Sequence, residues 1–161
     1  MTGVQTCALP ISGVKVEQLT EFVDLFPTLV DAAGLPSLPR CPRDSRDVEL
    51  CTEGDSLIPL ITNPNLATWK KRVFSQYPRQ EHSKRHMVMG YTMRTARYRY
   101  TEWVHFKPAP IFKPKWDQVY GVELYDHQVD SEENHNVANE TAYKSIVAGL
   151  SKQLHQGWRK G

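Results

Sequence analysis

Apolar residues Leu19, Phe22, Val23, Phe26, Leu29, Val30 and Ala33 recur at spacings of three and four, which predicts an amphipathic helix within residues 16–33. Pro27 falls inside the pattern. It predicts one short turn before it and a second helix that Pro27 leads from its first position. Gly34 is a natural stop, and Pro36 follows it. Residues 35–66 read as loop, with Pro36, Pro39, Pro42, Pro59 and Pro64 among Asp, Ser and Asn clusters. A strand is predicted over Arg72–Tyr77 (RVFSQY), stopped by Pro78. MVMGYTMRT (87–95) and RYRYTEWVHF (97–106) are rich in Tyr, Val, Thr, Met and Trp and predict two antiparallel strands. In the second, Tyr98, Tyr100, Val104 and Phe106 share one face with Glu102 as its only polar member, while Arg97, Arg99 and His105 point away. KPAPIFKPKW (107–116) reads as a connection, VELYD (122–126) as a short strand, and Tyr143, Ile146, Val147, Leu150 and Leu154 predict a closing helix over 141–156.

With 161 residues, 40% of them hydrophobic and 24% charged, the chain has ordinary globular composition and room for one domain, or one core plus an appendage. No apolar run approaches the roughly 18 residues of a spanning helix. The net charge of +2 conceals an asymmetry. Residues 69–115 carry twelve Lys or Arg against Glu81 and Glu102, whereas residues 117–140 carry seven acids and neither Lys nor Arg. Such a distribution predicts either a face for anions or a solvated strand surface.

Cys41 and Cys51 bracket CPRDSRDVELC, a spacing that is neither a redox pair nor a zinc-finger half-site. It favours a disulfide over the alternative of two buried reduced thiols. Asn139-Glu140-Thr141 is a glycosylation sequon, meaningful in a secreted chain. His82 and His86 are four apart but precede a strand, and they read as surface loop. Asp126, Asp130, Glu132 and Glu133 lack the ligand order of a calcium-binding loop and read as a solvated acidic turn. The sequence carries no phosphate-cradling glycine loop and no nucleophile elbow. Arg and Lys interleaved with Tyr91, Tyr98, Tyr100 and Trp103 could stack bases and neutralise phosphates, or lie against a sulfated sugar polymer.

Met1 to Ser12 (MTGVQTCALPIS) resembles a translated sequencing adapter, so residues 1–12 are expected to be an artefact, Cys7 with them, and the native reading to begin near Gly13 in a gene whose upstream part is missing. The rest, in the order TEFVDLFPTLVDAAGLP, RCP…VELC, SQYPR, MGYTMRTARYRYTEWV and GVELYDHQVDSEENHN, resembles the C-terminal third of the iduronate-2-sulfatases and their bacterial relatives. The resemblance runs from about Glu17 to Asn139.

That resemblance implies a fragment of an alkaline-phosphatase-like fold of α+β character. Residues 13–68 would be the end of the large sulfatase domain, a helix plus a stapled proline-rich loop, and residues 69–161 a C-terminal subdomain with a small antiparallel sheet packed against a C-terminal helix. It implies hydrolysis of 2-sulfated uronates in glycosaminoglycans by the full-length parent, a calcium ion held there, and a formylglycine made within a C/S-x-P-x-R motif. Cys7-Ala8-Leu9-Pro10 has no arginine in register, and Cys41-Pro42-Arg43 has its proline one place early. No catalytic, cofactor or metal-binding residue is therefore carried onto this sequence, and the chain alone is expected to be inactive. What transfers is a disulfide at Cys41 and Cys51, glycosylation at Asn139, and Arg94 in the MGYxxRT strand, for which pairing with the acidic turn or the large domain is preferred to substrate contact. The expected setting is lysosomal or secreted, with the N-terminal catalytic domain and a sulfated glycosaminoglycan as partners, and with neither nucleic acid nor membrane. The competing reading is an anion-binding module, for nucleic acid or sulfated glycan, built on residues 69–115.

Overall fold

In the computed structural model, residues 15–66, 68–80, 87–107 and 113–160 are described, and the chain divides into two compact units between Trp69 and Lys70. Met1–Ser12, His82, Lys84, Arg85, His86 and the middle of the 107–116 connection lie outside the described residues.

In the first unit a 3-10 turn (Phe22–Asp24) runs directly into helix α1 (Leu25–Ala32). The expected break at Pro27 does not occur, because Pro27 sits third in α1, where the backbone N–H that proline lacks would have had no partner within the helix. Gly34, at φ 66°, ends the helix: its N–H donates to the Asp31 carbonyl and that of Leu35 to the Val30 carbonyl. The segment expected to be loop also holds a one-turn helix, α2 (Ile58–Thr62), with Pro59 in its first turn, and a parallel bridge between Arg40 and Thr52. Cys41 and Cys51 are joined by a disulfide beside that bridge.

The DLFPTL stretch has a physical reason for its composition. Asp24 is fully buried, and its carboxylate accepts the backbone N–H of Glu21 at 2.9 Å and that of Asp55 at 2.8 Å. Thr28 donates its hydroxyl to the Asp24 carbonyl at 2.5 Å and accepts the Leu57 N–H at 2.8 Å. Two side chains of one helix entry thus satisfy the loop that leads into α2. Gly54 is needed at that meeting, since a Cβ there would lie 2.0 Å from the Val23 carbonyl oxygen.

The second unit is a four-stranded antiparallel meander, β1 (Arg72–Gln80), β2 (Met87–Thr95), β3 (Tyr98–Lys107) and β4 (Lys113–Asp126), in spatial order β1-β2-β3-β4. It is followed by a 3-10 turn (Thr141–Tyr143) and helix α3 (Lys144–Gln156). Met93, Tyr100, Leu124, Leu150 and Leu154 form the buried core, which places α3 on the face of β3 that the alternation marked as the packing face. Two strand limits differ from the pattern. β1 continues through Pro78, paired with Met89, because β1 is an edge strand and the missing N–H costs no ladder bond. β4 begins at Lys113, with Pro114 opposite Phe106, so the connection after β3 is shorter than its prolines suggested, and β4 is the other edge.

Candidate functional site

The face of the sheet opposite α3 carries Arg94 and Arg99 among the charged residues singled out above. Register places Arg94 of β2 directly across from Arg99 of β3, two like charges that would repel without counter-groups. The turn after β4 supplies them. Glu133 adopts φ 58°, a left-handed conformation uncommon outside glycine and asparagine, and one of its oxygens is shared by Arg99 Nε at 2.7 Å and His127 Nε2 at 2.6 Å. On its other ring nitrogen, Nδ1, His127 meets Arg94 Nη2 at 2.9 Å, while Arg94 Nη1 donates to the Thr95 carbonyl. Burial and the neighbouring Arg99 lower the affinity of the Arg94 guanidinium for its proton, with Glu133 opposing.

Beside this network, Arg97 grips Asp126 through two parallel hydrogen bonds, Nε to Oδ1 at 2.8 Å and Nη2 to Oδ2 at 2.6 Å. Tyr143 donates its hydroxyl to the same carboxylate at 3.1 Å, and the Gln128 N–H adds a bond at 3.1 Å. Asp126 is buried, yet the Arg97 bonds, with the smaller ones, hold its carboxyl at about 2, below the ordinary 3.8, against the opposing effect of burial. Burial and the Asp126 bond in turn push the Tyr143 phenol up.

The middle of the chain is accordingly less cationic in three dimensions than in sequence. Arg97 and Arg99 are matched by Asp126 and Glu133, Arg72 donates to Gln153 at 2.8 Å, and Arg79 lies 6.0 Å from the centre of the Trp103 ring. Among the described residues, Arg94 meets a neutral-capable imidazole and a carbonyl within hydrogen-bond distance, and no carboxylate within ion-pair distance. Asn139 is exposed, just before the 3-10 turn that precedes α3. The disulfide belongs to the first unit, whereas Arg94 lies in β2 and Asn139 just before the 3-10 turn of the second unit. His127 carries no signal of its role in the linear sequence. For Glu102 the signal was present, a lone carboxylate on an apolar strand face. It is buried, and accepts the Tyr100 hydroxyl at 2.8 Å and His155 Nε2 at 2.9 Å.

Among the described residues no group of three or more His, Cys, Asp or Glu is placed to hold a metal ion, so they do not fit the calcium centre that the resemblance implies for the parent. Nor is any helix among them long and apolar enough to cross a membrane.

Residues 9–160 match the family described as N-sulphoglucosamine sulphohydrolase, C-terminal. The chain belongs to that family. It is 38% identical to iduronate 2-sulfatase of Mus musculus, over 86% of this chain and 28% of that protein, and 38% identical to iduronate 2-sulfatase of Homo sapiens, over 80% and 26% respectively. Among solved structures it is similar to a 2-O GAG sulfatase, with TM-score 0.55 and 25% identity over 83% of this chain and 23% of that one. The phosphonate monoester hydrolase of Agrobacterium radiobacter, at 20% identity and TM-score 0.58 over 88% and 25%, shares the fold. The chain therefore spans about a quarter of the length of the relatives that it matches. This kinship is with sulfatase C-terminal domains, and it does not favour the separate anion-binding module.

Proposed function

We propose that this chain is the C-terminal subdomain of a sulfuric ester hydrolase of the iduronate-2-sulfatase kind, which removes sulfate from uronates of glycosaminoglycans in a lysosomal or secreted setting. The observation that carries the reading is the 38% identity to iduronate 2-sulfatases over most of this chain. The chemistry of sulfate-ester cleavage asks for an activated nucleophile and a cation to stabilise charge developing on the departing sulfate. In this reading the nucleophile, the calcium ligands and the sulfate-binding cations are supplied by an N-terminal domain of the parent; that no group of three or more His, Cys, Asp or Glu among the described residues is placed to hold a metal ion supports it. What the subdomain contributes is a rigid flank: a sheet locked to its acidic turn by Arg97–Asp126 and Arg99–Glu133. The disulfide and the exposed sequon asparagine suit an oxidising, glycosylating compartment.

The test is to extend the gene upstream and express both forms. A C/S-x-P-S-R motif in frame, hydrolysis of a 2-sulfated uronate disaccharide by the long form, and none by the 161-residue chain are expected. Turnover by the short chain, or a long form that lacks both motif and activity, overturns the reading.

A further inference from the structure

The Arg94–His127–Glu133 chain of contacts fixes the protonation of a histidine by geometry. A guanidinium carries only donors, so the 2.9 Å contact from Arg94 Nη2 requires a lone pair on His127 Nδ1. The single ring proton must then sit on Nε2, from which it is donated to Glu133 at 2.6 Å. The Nε2–H tautomer is the one that satisfies both contacts. A second proton can enter only at Nδ1, and there it removes the acceptor that Arg94 uses and sets a positive ring against a positive guanidinium. The Glu133 bond survives that change, because Nε2 donates in both states, and a cationic ring pairs with that carboxylate more strongly.

The charged and titratable groups in and beside this turn are Arg94 of β2, Arg97 just before β3, Arg99 of β3, Tyr125 and Asp126 of β4, and Asp130, Glu132, Glu133 and His135 of the turn. Arg97 and Asp126 are committed to each other, and Arg99 to Glu133. The carboxylate of Asp130 accepts the His135 N–H at 2.8 Å. The His127 backbone is anchored separately, its N–H on the Arg97 carbonyl at 2.9 Å, so the residue stays in place when its ring changes charge. Arg94 is the member whose contact depends on the ring being neutral.

We propose that His127 is a proton-operated latch on Arg94, which holds Nη2 of the guanidinium when the ring is neutral and releases it when the ring is protonated, with Nη1 still on the Thr95 carbonyl and Glu133 retained in both states. Histidine is the side chain whose charge ordinarily changes between about pH 5 and 8. Once released, Arg94 is a cation without a matching carboxylate in this network, suited to an anionic partner group. The inference rests on the contacts of this chain alone and stands whether or not the parent acts on sulfated uronates.

The experiment is NMR of the full 161-residue chain labelled with 15N at histidine, titrated from pH 8 to pH 4.5, in the wild type and in Arg94→Met. In the wild type the His127 ring is expected to show the Nε2–H tautomer at pH 8, and Arg94 side-chain exchange protection to fall as the ring titrates. In Arg94→Met the midpoint of the ring moves upward, because a neighbouring donor that opposes protonation is gone. Arg94→Lys, which restores a cationic donor at that place, moves it back towards the wild type. An Nδ1–H tautomer, a mixture of tautomers with random-coil shifts, a midpoint indifferent to Arg94→Met, or Arg94 protection unchanged across the titration overturns the proposal.

Discussion

Glu102 of β3 and His155 of α3 meet at 2.9 Å across 53 residues of sequence, and the pair fastens the last turn of the helix to the sheet. The indole of Trp116 covers the imidazole, with ring centres 4.2 Å apart, and Tyr91 packs on that indole at 5.0 Å. A cationic or donor side chain at a helix C-terminus is favoured by the helix dipole, and here it also meets a carboxylate that burial would otherwise penalise.

Removing Glu102 takes the buried carboxylate acceptor from the Tyr100 hydroxyl and from His155 together. Glu102→Ala is expected to destabilise the second unit by about 2 kcal/mol, and His155→Ala by less, since a third of its side chain faces water. A double-mutant cycle in urea, followed through tryptophan emission, measures the coupling. Strictly additive effects would show that the pair contributes nothing beyond its separate contacts.

Asp126 predicts an acid limit. Its carboxyl is held at about 2 in the fold against 3.8 for the free side chain. A depressed value means that the stabilisation is fully present above about pH 3.8 and is lost as pH falls from there through 2. The contribution is at most about 2 kcal/mol, less the screening that water around the half-exposed Arg97 provides. Arg97→Ala is expected to flatten stability between pH 4 and 2 in denaturant titrations. An unaltered slope would show that Asp126 does not titrate through this pair.

Gly54→Ala tests the meeting of the first helix with the loop before α2. Its Cβ would collide with backbone, which cannot rotate away as a side chain can. A loss of about 3 kcal/mol or more is expected, read as faster hydrogen exchange at the amides of Asp55 and Leu57, whose acceptors are Asp24 and Thr28. Unchanged protection there would mean that the loop yields without cost.

Opening the disulfide is expected to act on the same unit. Closing a ten-residue separation contributes about 2–3 kcal/mol in the chain-entropy view. Cys41→Ser with Cys51→Ser should speed exchange at the amides of Cys41 and Thr52, whose bonds to the Thr52 and Pro39 carbonyls close the loop. Equal protection with and without the bond would assign the loop's order to Arg40, which reaches the Glu53 and Gly54 carbonyls and Asp55.

What the sequence makes legible here is the part governed by local periodicity. β2, the two faces of β3 and the closing helix all follow from alternation or from spacings of three and four. Pro27, Pro78 and Pro114 mislead in a common way: each lacks an N–H, but at the start of a helix or on an edge strand no partner is waiting for it, and the linear pattern does not say which strands are edges. α2 is a single turn, too short to develop a period. The charge reading fails for a different reason. Arg97 and Arg99 look like an anion-binding stripe until the turn around Asp126 and Glu133 folds back on them, a pairing over some thirty residues that composition cannot encode. Asp24, Glu102 and His127 share that difficulty, since each matters through what it touches.

Both rims of the sheet are finished in ways that discourage chain-to-chain growth. Along one rim Pro78 interrupts the row of donors that a stray strand would need, with Arg79 next to it. Along the other, Asn136 caps β4: its side chain takes the Leu124 N–H and gives to the Val122 carbonyl, and the Val137 N–H occupies the Leu124 carbonyl. Each rim thus has at least one stretch where an incoming strand would find no free backbone partner.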